Sequence, residues 1–187
     1  MTGHTRIAAP ASEPLTLAEA KAHLRVDLSD DDAMIARTIS AAREWVEAHT
    51  GRALIAQSWR LTLDAWPDGP AVALIRPPVL AATAVRTFSA DGAATVWAGA
   101  NYAVSFGAEP QRLVRLVPEW PIPGRAQMGI EIDLNCGYGA LSSDVPAALR
   151  QAILLKTAQL YERRGEDPGA GPDEALRLIA PFRTVRL

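Results

Sequence analysis

The spacing of apolar residues changes twice along the chain, and that constrains the fold more than any other feature. Met34, Ile35, Ile39, Ala42, Trp45 and Val46 recur at intervals of three and four, the period of an amphipathic helix. From Ser58 to Gly139 the period falls to two, with Trp59, Leu61 and Leu63 alternating with Arg60, Thr62 and Asp64. At Leu149, Ile153, Leu154, Thr157, Leu160 and Tyr161 the helical spacing returns. The simplest packing that buries both kinds of face joins the flanking helices and sets the strands between them. We therefore expect an α+β protein: an α-helical bundle of about four helices with an antiparallel β domain inserted between the second and third. The implied divisions are a flexible segment 1–14, a helical core 15–56 and 140–181, a β domain 57–139 and a tail 182–187.

Local signals place the elements. Thr16 and Glu19 have the spacing of a capping box, opening a short helix over about 17–24. Ser29 or Asp30 is positioned to cap a second helix that Gly51 stops. Turn residues at Trp66-Pro-Asp-Gly-Pro70 and Ala90-Asp-Gly-Ala93 separate short strands, as in a sheet or small sandwich. Pro118, Pro121 and Pro123 mark a long loop before the last strand. Pro146 suits a third helix's first turn, and Asp173 would cap a fourth that Pro181 ends. The first fourteen residues, small, polar and Pro-containing, are expected to be mobile or to order against a partner.

Bulk properties exclude several functions. With 19 Lys plus Arg against 21 Asp plus Glu, the formal charge is −2, which does not suit a general nucleic-acid binder. Cys136 is the only cysteine, so neither an intrachain disulfide nor a cysteine zinc site is available. The N-terminus lacks the apolar core of a secretory signal, and no apolar run approaches the ~20 residues of a bilayer span. A soluble chain with no membrane partner is the expectation.

The stretch Asn135-Cys-Gly-Tyr-Gly-Ala-Leu-Ser-Ser143 invites a catalytic reading and does not sustain one. A nucleophile elbow needs Gly-x-Ser-x-Gly, a frame that Ser142 and Ser143 lack, and His4, His23 and His49 offer no evident triad partner. Cys136 ends an apolar strand and reads as core. Neither Gly137–Gly139 nor 165–171 carries the lysine of a phosphate loop, so the glycines read as a joint from sheet to helix. Asp30, Asp31 and Asp32 lack the glycine of a calcium loop and read as capping or solvated acids. Trp66, Trp97 and Trp120 are core candidates, with sugar stacking or an interface as the functional alternatives. No cofactor or metal is implied, and no constellation carries chemistry.

One resemblance runs through the chain. Leu15-Thr-Leu-Ala-Glu-Ala-Lys-Ala-His-Leu-Arg-Val26, Asp31-Asp-Ala-Met-Ile35, Ala41 to Leu54, Gln57-Ser-Trp-Arg-Leu-Thr-Leu-Asp64, Arg76-Pro-Pro-Val79, Gly137-Tyr-Gly139, Val145-Pro146 and Leu149 to Leu155 occur in order. Together they resemble the head–tail connector (adaptor) proteins of tailed phages, prophages and gene transfer agents. The resemblance implies a structural part without catalytic residues. Such adaptors form a homo-oligomeric ring of about a dozen copies beneath the portal protein, pass double-stranded DNA without gripping it, and support a stopper or neck protein. It implies a place in the neck of a particle assembled in the bacterial cytoplasm. Carried onto this chain, it points to Phe182, Arg183, Thr184, Val185, Arg186 and Leu187 as the portal contact. Asp30, Asp31 and Asp32 become candidates for the lumen, and the loop of Trp120, Pro121 and Pro123 a candidate ring or neck interface. The alternative is a carbohydrate- or host-surface-binding module using Trp66, Trp97 and Trp120.

Overall fold

The structure is a computed structural model that describes residues 2–107, 110–162 and 174–184. It divides into a β unit, residues 1–10 and 56–138, and a helical unit, residues 11–55 and 139–187.

The helical unit contains α1 (Leu17–Leu24), α2 (Asp32–Thr50), α3 (Ala147–Glu162) and α4 (Glu174–Ile179). Thr16 and Glu19 form the anticipated box: the Glu19 amide donates to Thr16 Oγ1 at 3.1 Å and the Thr16 amide to Glu19 Oε2 at 2.8 Å. The second helix differs from expectation. Its N-cap is Asp31, with no side-chain cap; the Asp32 amide instead donates to the Ser29 carbonyl, a turn that satisfies the donor without a carboxylate. Ile35, Ile39, Ala42 and Val46 line the buried face of α2, which packs on α3 through Leu149, Ala152 and Ile153. Burial of each such side chain contributes about 1.5–3 kcal/mol. Ala175 and Ile179 bury the inner face of α4. The expected cap Asp173 and the loop before it lie outside the described residues.

The apolar period did not reveal that the α2 core face also carries charge. Arg43 and Glu47 are buried. Arg43 Nη1 donates to Glu47 Oε2 at 2.9 Å and Nε to Glu13 Oε2 at 2.8 Å, while Glu47 Oε1 accepts from the Leu54 amide at 2.9 Å. Each buried charge therefore has an opposite charge and directional hydrogen bonds.

Among the described residues the β unit holds eight strands: β1 (Thr2–Ala8), β2 (Gln57–Leu63), β3 (Ala71–Ala73), β4 (Val79–Phe88), β5 (Ala94–Trp97), β6 (Tyr102–Ser105), β7 (Arg112–Arg115) and β8 (Ile130–Cys136). They form an antiparallel five-stranded sheet, β1-β2-β8-β4-β5, and an antiparallel three-stranded sheet, β3-β7-β6. The strand β8 lies at the centre of the larger sheet with Ile130, Ile132, Leu134 and Cys136 fully buried. On its other face Asp133 takes a bidentate pair from Arg60, 2.7 and 3.1 Å, and a further bond from Arg86.

The expectation of a loose N-terminal segment is corrected. Residues 2–8 pair along β2 as an edge strand, with Thr5 opposite Arg60 and a register shift between Arg6 and Ala8. Side chains 3–8 are exposed, so the strand leaves no alternation of burial to read in the sequence; backbone pairing to the open edge of β2 makes it. Among the described residues, no helix is long and apolar enough to cross a membrane.

Candidate functional site

The stretch around Cys136 is a joint. The chain leaves the β unit at Tyr138 and enters the helical unit at Gly139. A Cβ on Gly139 would lie 2.1 Å from Asp144 Oδ2, an oxygen that accepts from the Leu141 amide at 2.9 Å. Only glycine leaves room for that carboxylate. Ser142 and Ser143 belong to a 3-10 turn, Ser142–Asp144, ahead of α3. Burial pushes the Cys136 thiol up to about 12, against a small opposing influence of Arg76, and Sγ faces the Ile75 carbonyl at 3.7 Å. A thiol held that firmly in its neutral form is a poor nucleophile. The His49 ring lies 4.1 Å from that of Trp45 at a tilt of 33°, its Nδ1 2.8 Å from the Trp45 carbonyl oxygen. Among the described residues no group of His, Cys, Asp and Glu is arranged to hold a metal ion.

The three acids have different surroundings. Asp32 pairs with Lys21 at 2.6 Å, Asp31 accepts from the Tyr161 hydroxyl, and Asp30 is exposed. At the other end of α2, the tail is fixed further along than its sequence suggests. The Arg52 Nε donates to the Phe182 carbonyl at 2.6 Å, and the Thr184 amide and hydroxyl both donate to the Thr50 carbonyl, at 2.9 and 3.1 Å. Arg183 is exposed between them. Val185, Arg186 and Leu187 lie outside the described residues.

The proline-rich loop is built around tryptophan. Trp66 and Trp120 stack with centroids 4.2 Å apart and planes 9° from parallel. Trp66 Nε1 donates to the Pro121 carbonyl at 2.7 Å, and Trp120 Nε1 to the Gly69 carbonyl at 2.9 Å. Trp97 closes on both, and Tyr102 stacks on Trp97 at 5.6 Å. Trp66 and Trp120 thus stack on each other and satisfy their N–H groups internally, which disfavours the sugar-stacking reading. Trp120 pins the loop. Ile122, between Pro121 and Pro123, projects and is 91% exposed. The sequence carried a signal for it: an isoleucine between two prolines is poorly placed for a central ladder.

The signature of the phage gp6-like head–tail connector proteins matches residues 14–85. A chain from the neck of an empty gene transfer agent particle, computed with sixfold symmetry, superposes at a TM-score of 0.86 with 32% identity, covering 99% of this chain and 97% of that one. A chain from the virion of a native gene transfer agent particle gives 0.86 and 34%, covering 98% and 96%. One from the neck of a native particle, computed with twelvefold symmetry, gives 0.84 and 32%, covering 99% and 97%. This chain belongs to the phage gp6-like head–tail connector family. No curated protein matches it. The connector is a structural protein, not an enzyme, in keeping with the neutral, buried Cys136. Its functional surfaces are therefore surfaces for assembly. The resemblance seen in the sequence spans both units, whereas the family signature covers α1, α2 and the strands through the first part of β4.

Proposed function

We propose that this connector is the adaptor ring in the neck of a gene transfer agent or related phage-like particle. About a dozen copies assemble beneath the portal, continue its DNA channel and present a platform to the next neck protein. The observation that carries this reading is the end-to-end likeness, at 32% identity, to a chain in a neck computed with twelvefold symmetry. A near-neutral chain suits a channel that DNA must pass through, because phosphate affinity grows with clustered cations.

In this reading the tail, Phe182 to Leu187, is the portal dock. Phe182 and Thr184 are tied to Arg52 and Thr50 at the end of α2, which gives the rest a fixed point of departure. Asp30, the exposed member of the acidic run, is the lumen candidate. Assembly takes place in the bacterial cytoplasm. Electron microscopy of the purified chain mixed with its portal protein tests the reading. End-on rings stacked on portals are expected; portals that stay bare at saturating connector would overturn it.

A further inference from the structure

The C-terminal end of α2 is a fixed post. Thr50 is buried, and its hydroxyl donates to the Val46 carbonyl at 2.8 Å. Gly51 follows in the left-handed conformation, φ 73°, and its amide closes on the Glu47 carbonyl at 3.0 Å. Beyond it Ala53, Leu54 and Ile55 are buried. In a continuing helix the Leu54 amide would donate to the Thr50 carbonyl. Here it donates to the Glu47 carboxylate, which Arg43 holds in the core. The Thr50 carbonyl is thereby left for a donor from outside the helix.

That donor comes from the far end of the chain. The Thr184 amide and hydroxyl both donate to the Thr50 carbonyl, and Arg52 Nε donates to the Phe182 carbonyl. Gly51 makes room for the contact, because a Cβ there would overlap Thr184 Oγ1. Capping alone does not require so long a reach, since water or a nearby side chain satisfies a terminal carbonyl as well. What the tie adds is a fixed end for the tail.

Its effect on the tail follows from chain length. With the tie closed, three residues remain beyond Thr184, and fully extended they span at most about 11 Å. With the tie open, the last fully buried residue is Ile179, and eight residues follow it. The volume explored by a flexible segment grows roughly as the 3/2 power of its length, so closing the tie concentrates the end of the tail about fourfold. It also removes in advance the cost of ordering residues 180–184 on binding.

We propose that Gly51 and Thr184 are positioning residues for the portal dock. The tie between the end of α2 and the tail stays closed in the particle and sets the point from which the remaining residues engage the portal. This rests on the reading of the tail as the dock.

The full-length chain, titrated onto its portal protein by biolayer interferometry, tests the proposal. Thr184→Pro removes both donors, and Arg183, at φ −66° and ψ 128°, already has a conformation that suits a following proline. Gly51→Asn leaves the tail unaltered; asparagine tolerates the left-handed conformation, but its Cβ displaces Thr184. Each should weaken portal binding about fivefold or more, with the helical circular dichroism retained. The double variant should bind no worse than either single one, because both break the same tie. Thr184→Ser, which keeps both donors, should bind within about twofold of wild type. Thr184→Val, which loses only the hydroxyl, replaces the proline variant if that one does not fold, and should give a smaller loss.

Suppose deletion of residues 182–187 abolishes binding while Thr184→Pro and Gly51→Asn bind like wild type. The tie is then a helix cap only, and the proposal falls while the dock stands. A Gly51→Asn chain with full affinity beside a weakened Thr184→Pro chain, or losses that multiply in the double variant, would overturn the proposal in the same way. A deletion that leaves binding unchanged would overturn the dock and the positioning role together.

Discussion

The helical unit and the β unit handle charge and apolar surface in opposite ways. In the helical unit, charge is drawn inward as a cluster: Arg43 and Glu47 sit in the core with Glu13 at their edge, whereas the β unit buries the carboxylate of Asp133. In the β unit, apolar side chains are turned outward, with Val96, Phe106, Leu116, Ile122 and Met128 all more than half exposed. The helical unit also exposes Leu28 and Leu141, so the division is one of emphasis. A core that internalises charge specifies one arrangement of its helices. A surface that externalises apolar groups is available for partners. On the proposed reading the first unit serves as scaffold and the second offers much of the assembly surface.

The comparison breaks most readily at Arg43. Arg43→Ala removes a buried guanidinium hydrogen-bonded to Glu13 and Glu47 and should cost about 3–5 kcal/mol, read by urea denaturation followed by circular dichroism. A loss under 1 kcal/mol would mean that the cluster is not holding the helices. Next, Ile132→Ala removes a fully buried side chain at the centre of the β unit and should cost about 2–5 kcal/mol. The loop sharpens the contrast: Gly124→Ala forces a methyl group onto the backbone of Ser89 and Ala90, costing about 1–3 kcal/mol and lowering ring yield as the loop shifts. Ile122→Ser, by contrast, should leave stability within about 0.5 kcal/mol. Assembly lost without stability and stability lost without assembly are then separable at neighbouring residues.

A pH series probes the β unit's best-buried carboxylate. Burial, the largest influence on Asp133, pushes its carboxyl up; hydrogen bonds and charge from Arg60 and Arg86 outweigh that and hold it below the ordinary range. Its folded value lies below its unfolded one, so the stabilisation is present above the unfolded carboxylate range, near 4, and fades as pH falls through the folded value. Wild type should lose more stability between pH 5 and pH 2 than Asp133→Asn does. Equal losses would remove Asp133 from the account. The smallest effect is expected at Lys21→Met, which breaks the partly exposed pair with Asp32 and should cost about 0–1 kcal/mol.

Much of the fold was legible because it follows from periodicity. The change from helical to strand spacing and back placed all four helices and the strands between them, and Gly51 ended α2 as read. What escaped has physical reasons. Strand β1 buries no described side chain, so no pattern marks it. Arg43 and Glu47 were not singled out, because only the fold brings Glu13 and the Leu54 amide to them. The assembly surface was half legible. The proline-rich loop was singled out as an interface candidate, but the stacking of Trp120 on Trp66 was not, because it depends on a contact 54 positions away in sequence, which no local pattern encodes.

The most direct test of the central claim is the solution mass of the purified chain, alone and with its portal protein, before and after deletion of residues 182–187. A ring, or a portal-dependent complex that the deletion abolishes, is the predicted result. A monomer that ignores the portal at every concentration would contradict it.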